Sequence, residues 1–201
     1  WREKTNMRLD NDALAVNNLR KLLKEIKFKD QIFADANATL AQAFLNLEEK
    51  DSAVAKLKLA RDYTKLNEEK SRYSFILGQL YDKMGYKDSA YVAYQEVIDM
   101  NRRAARQYVI HAHINQAAQF DYKNGDTIAY LKKFNDLIED RENRPYLDAL
   151  YHQMGKFYAL VANGDYRVTV DRKNPDATYT SNYIPDPVPV RHGYLKEEFR
   201  I

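Results

Sequence analysis

Between Ser71 and Ala104 the apolar positions fall three and four residues apart on two successive stretches, with a glycine between them. The first stretch carries Leu77, Gly78 and Tyr81, the second Ala90, Tyr94 and Val97, and Gly85 sits in the gap. That spacing predicts two amphipathic helices joined by a short turn. Gly78 and Ala90 leave room for the helices to approach, and Leu77, Tyr81, Tyr94 and Val97 fill the seam. One such hairpin cannot bury its apolar face alone, so its neighbours should repeat it. They do: Ala41, Gly78, Ala118 and Gly155 recur at spacings of 37, 40 and 37 residues. The matching second-helix position holds Ala15, Ala53, Ala90 and, as a poorer match, Tyr130.

Taken in order, Trp1 to Arg8 reads as the end of a helix that begins upstream, and Asp10 to Asp12 as a turn. Ala13 to Ile26 follows, with Ala15, Leu19, Leu22 and Ile26 on one stripe. Ile32 to Leu47 pairs with Asp51 to Leu66, for which Asp51 and Ser52 offer a cap. After the central hairpin, Arg106 to Tyr122 and Thr127 to Ile138 make a degenerate pair, with Asp121 where an aromatic is expected. Pro145 opens a last helix, with Tyr151, Met154, Gly155 and Tyr158 on its buried stripe. Past Asp165 the pattern stops. Tyr166 to Val170 alternates like a short strand, and Pro175, Pro185, Pro187 and Pro189 exclude long helix. Ile184 to Val190 favours extended or polyproline II backbone. Residues 166–201 are therefore expected to form an irregular extended tail. It either packs on the last helix or belongs to a segment that lies further along the natural chain.

Small residues at the eighth and twentieth places of a unit of about 34 residues are the tetratricopeptide (TPR) pattern. The sequence resembles that family, which implies an all-α, TPR-type α-solenoid of antiparallel helix pairs over residues 1–165. Its repeats would cover about 1–28, 31–67, 71–104 and 108–142, with a partial one at 145–165. The resemblance also implies an inner groove lined by the first helix of each pair. Here those positions supply Gln42, Arg72, Phe75, Gln79 and Lys83, then Asn115, Gln116, Gln119 and Tyr122, then Gln153 and Lys156. Amides both donate and accept, so such a row can pair with the backbone of an extended peptide or simply face solvent. Arg72, Lys83 and Lys156 would favour an acidic segment. TPR proteins that clamp the C-terminal carboxylate of heat-shock chaperones need Lys, Arg and Asn where this chain has Ala38, Gln42, Ile76, Ala112 and Gln116. A co-chaperone role is not expected.

Composition narrows the function classes. The 201 residues are 30% charged and 45% hydrophobic with a net charge of +3, and the two signs are interleaved. Nucleic-acid binding usually shows a concentrated basic face, so it is not expected. No run approaches the roughly 18 apolar residues of a membrane span. The chain has no cysteine, which excludes disulfides and thiolate metal sites. The opening WREKTNMRLD is neither a signal peptide nor a lipidation site and predicts a chain that continues upstream. His111 and His113 diverge by about 200° on a helix and cannot chelate one metal together. His152 and His192 are isolated. Glu48–Glu49 and Glu68–Glu69 read as solvated helix ends, and no nucleophile elbow or phosphate-binding loop occurs. Neither enzyme activity nor a cofactor is expected.

A closer likeness runs through SRYSFILGQLY, DSAYVAYQEVI and RQYVIHAH, and continues in LDALYHQMGKFYALVANGD. These segments resemble the TPR region of the SprE/PorW family, outer-membrane lipoproteins of gliding motility and type IX secretion in Bacteroidetes. That resemblance covers roughly Ala13 to Asp165. It implies a non-catalytic scaffold for protein–protein interaction at the periplasmic face of the outer membrane, held there by a lipid anchor outside this chain. Its partners would be the outer-membrane translocon or motor-associated components. The alternative is a TPR-containing glycan-binding lipoprotein of a nutrient-uptake system, hinted at by Tyr179, Tyr183 and Tyr194.

Overall fold

A computed structural model describes residues 1–121 and 125–161, together with a two-residue antiparallel ladder of Val168–Thr169 and Glu198–Phe199. Of the expected strand Tyr166 to Val170, Val168 and Thr169 lie in that ladder, opposite Phe199 and Glu198 of the expected tail; the rest of the tail lies outside the described residues. The helices are α1 (Arg2–Arg8), α2 (Asp12–Glu25), α3 (Gln31–Asn46), α4 (Lys50–Tyr63), α5 (Asn67–Lys83), α6 (Lys87–Met100), α7 (Arg106–Ala117), α8 (Thr127–Glu139) and α9 (Leu147–Val161). They form two compact units, Trp1–Gln119 and Phe120–Ile201. The pair expected over residues 108–142 straddles their boundary.

In the first unit α1–α2, α3–α4 and α5–α6 pack as pairs, and each second helix also packs on the first helix of the next pair. The three pairs share one turn. Asp10, Glu48 and Gly85 stand at its centre with φ of 58°, 61° and 82°. The following amides of Asn11, Glu49 and Tyr86 each reach back to the carbonyls of Asn6, Phe44 and Tyr81 at 2.9 Å. This six-to-one bond is the Schellman ending, which satisfies carbonyls that a helix end would leave bare. The following helix needs no side-chain cap: Glu49 precedes α4 without one, so Asp51 and Ser52 do not play the expected capping role. α4 also stops at Tyr63 rather than Leu66, because Thr64 turns to extended backbone.

The seams hold the anticipated small residues. Ala15, Ala53 and Ala90 are fully buried, as are Leu40 and Leu77 on the facing helices. A β-carbon on Gly78 would sit 2.5 Å from Cε1 of Tyr94, so the aromatic ring needs the glycine. One pair earlier, Ala41 shares its cluster with the smaller Leu57, which lies 37 residues before Tyr94. Size is traded across the seam.

The register of α7 differs from expectation. Ala117 is buried and Ala118 is the exposed C-cap, so Ala117 fills the small slot. The connection from α6 is the cause: Asn101 turns at φ 45° and ψ −117°, and a 3-10 turn, Asn101–Arg103, precedes α7. The expected continuation of this helix to Tyr122 does not form as far as the described residues go.

In the second unit Asp126 caps α8 by accepting the Ala129 N–H at 2.9 Å. Pro145 lies inside a 3-10 turn, Arg141–Tyr146, so α9 opens at Leu147 rather than at the proline. The core is an aromatic stack: Tyr130 lies 4.0 Å from Phe157 at 11° and 4.7 Å from Phe134 at 20°. Tyr130, the poor match to a small slot, thus packs as a plate against the next helix. Leu150, Gln153 and Phe157 are the deepest positions of α9, one residue earlier than Tyr151, Met154 and Tyr158. Met154 and Gly155 are buried beside them.

Two stability outcomes follow. Gly78→Ala should cost about 1–3 kcal/mol through overpacking, and Tyr94→Leu in the same chain should return much of it, read by urea denaturation. Glu48→Gly should stabilise by about 1 kcal/mol by relieving a left-handed non-glycine residue. Gly85→Ala should destabilise by a similar amount although no atom lies within 4 Å of the added carbon.

Candidate binding groove

In the first unit a cleft of about 390 Å³ lies across α1, α3 and α5. Ala38, Ala41, Leu45, Leu57 and Ile76 make its apolar floor, and Lys4, Arg8, Gln42, Asn46, Arg72 and Tyr73 rim it. An adjoining cleft of about 750 Å³ shares Lys4, Thr39, Arg72 and Tyr73 and adds Trp1, Leu22, Asp35 and Glu69.

A polar relay fixes the centre. Asp12 at the start of α2 is 9% exposed and accepts the Asn46 side-chain amide at 2.7 Å. Asn46 Oδ1 in turn accepts from Gln42 Nε2 at 2.9 Å. A buried carboxylate therefore orients an exposed amide in the cleft. At the other end Gln31 donates to Asp35 and Glu69 at 2.9 and 2.7 Å, and Thr64 donates to Glu69 at 2.8 Å. Burial pushes the Tyr73 hydroxyl up to about 12, with Glu69 and Asp35 adding to the rise and Arg72 opposing it. Burial works against ionisation of Glu3, but hydrogen bonds from Arg2, Asn18 and Asn6 outweigh it and hold the carboxyl below its ordinary value.

Of the expected groove residues, Gln42 and Arg72 meet in this cleft. Gln79 is exposed on α5, and Lys83 lies by the α3–α4 turn in a separate cleft of about 490 Å³ with Glu48 to Ser52. Asn115 donates to the Tyr94 hydroxyl at 3.3 Å, and Gln119 to Asp82 at 3.3 Å. Tyr122 lies outside the described residues. Phe75, Gln116 and Gln153 are not surface at all. Phe75 packs its ring against Tyr94 and Tyr108 with centroids 5.9 and 5.5 Å away. Gln116 is 5% exposed and donates to Gln95 at 2.9 Å; Gln153 is 3% exposed and donates to the Tyr130 hydroxyl at 3.0 Å. Both glutamines stand one place later in their repeats than expected, in the buried slot that Leu40 and Leu77 fill. Lys156 in the second unit is exposed, and burial followed by the Lys156 charge lowers the pKa of His152.

Sequence reasoning missed Lys4 and Arg8. The signal was present: aligning the turn at Asp10 with that at Glu48 places Lys4 and Arg8 on Gln42 and Asn46, 38 residues on. Among the described residues no cluster of His, Cys, Asp and Glu is arranged to hold a metal, and no helix is long and apolar enough to cross a membrane. No family model matches the chain, and no curated protein matches it.

The revised register has a direct check. Gln116→Glu should cost on the order of 3 kcal/mol because it buries a charge. Gln79→Glu on the exposed face should stay within about 0.5 kcal/mol of the parent. Urea midpoints of the two variants that moved equally would return Gln116 to the surface.

Proposed function

We propose that this chain is a TPR-type solenoid acting as a non-catalytic scaffold, with the face of α1, α3 and α5 as its partner-binding groove. The observation that carries the reading is the repeated hairpin: three equivalent turns, small residues in each seam, and one row of first helices bearing an open cleft. A rigid repeat holds such a face ready, so a partner segment loses its own freedom but the protein loses little. The sequence resemblance to the SprE/PorW lipoproteins supports placing the scaffold at the periplasmic face of the outer membrane, among the components of type IX secretion and gliding. In that setting it would link the translocon to motor-associated proteins.

The test is affinity purification of the tagged, full-length protein from its native membranes, read by mass spectrometry. The expected result is recovery of the large outer-membrane translocon or the motor-linked ring. Recovery of a TonB-dependent transporter with glycan-degrading enzymes would sink the secretion role and favour nutrient uptake.

A further inference from the structure

The cleft across α1, α3 and α5 is lined by three cations and no carboxylate. Lys4, Arg8 and Arg72 are all exposed, and none forms an ion pair among the described residues. Arg61, by contrast, pairs with Asp62 and Glu96 at 2.8 and 3.2 Å. The acids of the adjoining cleft are already engaged: Glu3 by Arg2, Asn6 and Asn18, and Asp35 and Glu69 by Gln31. None of these acids forms an ion pair with the three cations. Gln42, exposed in the lining of the same cleft, is held by the relay to buried Asp12, and its carbonyl and second N–H make no other hydrogen bond among the described residues.

We propose that this cleft takes a short, extended, acidic segment of a protein partner. Carboxylates of the segment meet Lys4 and Arg8 on one flank and Arg72 on the other, and its backbone pairs with the Gln42 amide. The span sets the ligand. Two helix spacings make roughly 16–20 Å, and an extended chain advances about 3.3 Å per residue, so the carboxylates stand about five residues apart. The apolar floor of Ala38, Leu45 and Ile76 admits an apolar side chain between them. A recessed floor of this kind suits a peptide better than a flat anionic membrane. The inference rests on reading this face as the groove of the scaffold, but it moves the basic determinant from Lys83 and Lys156 to Lys4 and Arg8.

The probe is a fluorescein-labelled hexapeptide with glutamate first and last and leucine third, titrated with the 201-residue chain at low salt. The expected result is binding that weakens about tenfold or more in Arg8→Glu and in Arg72→Glu, while Lys87→Glu, at an exposed position at the start of α6, leaves it unchanged. The glutamine version of the peptide should also bind about tenfold more weakly. Both arginines are exposed, so the variants should keep the parent circular dichroism. Equal binding of the glutamine peptide, indifference to the charge reversals, or binding only to phosphatidylglycerol vesicles would overturn the proposal. In the membrane purification, an Arg8→Glu/Arg72→Glu protein that keeps the translocon sinks the acidic segment while the scaffold stands.

Discussion

The ring of Tyr94 fills the space that a β-carbon on Gly78 would need, and the spacing of α5 and α6 follows from that contact. A larger residue at position 78 would push the helices apart and open the seam around Val97 and Leu77, both fully buried. Dense packing makes such a contact a constraint rather than a preference, because interiors tolerate little extra volume. The same arithmetic is met differently one pair earlier, where alanine stands with leucine. Each hairpin can carry its own size combination provided the sum across the seam is kept.

Successive pairs are joined by polar contacts as well as by apolar ones. Gln31 at the start of α3, Thr64 after α4 and Glu69 in α5 bond to one another across three helix ends. Glu96 of α6 takes Ser74 at 3.0 Å and Arg61 at 3.2 Å, tying α4, α5 and α6 together. Half-exposed ion pairs of this kind add little net stability. Their geometry is specific, however, and it fixes the rotation of each helix about its axis. Asn37 shows what a missing partner means. It occupies the place of Ser74 one pair earlier, but Leu59 stands where Glu96 would be, and its buried Oδ1 has no hydrogen bond.

The groove inherits its chemistry from this rotation. Residues on the solvent side of α3 and α5 become rim, and those a single place away become core. Phe75 and Gln116 differ from Arg72 and Gln42 only in which side of the helix they occupy, yet the first two are spent on packing. The cations on the rim form no ion pair among the described residues. Coulomb attraction in a cleft partly screened from water is stronger than on an open surface, and it favours an incoming carboxylate.

Much of this was legible in the sequence because helix pairing is written in local spacing. The stripes at three and four residues, the small residues at 41, 53, 78 and 90, and the placing of Gln42 and Arg72 on a first-helix face needed only the 37-residue period. The turns were half hidden: Asp10 to Asp12 reads as one, but only one of the three left-handed positions is glycine, and the left-handed backbone of Asp10 and Glu48 shows only in their φ. The register of α7 could not be read locally: a strained turn at Asn101 shifts the buried stripe by one residue, and a residue step of 100° on a helix moves a side chain from rim to core. The 38-residue step between the turns puts Lys4 and Arg8 in register with Gln42 and Asn46, but it is the packing of α1 against α3 that brings them over the same floor as Arg72. Periodicity determines which side of a helix is apolar. Which charges share a cleft depends on contacts between helices tens of residues apart, and local spacing does not carry that.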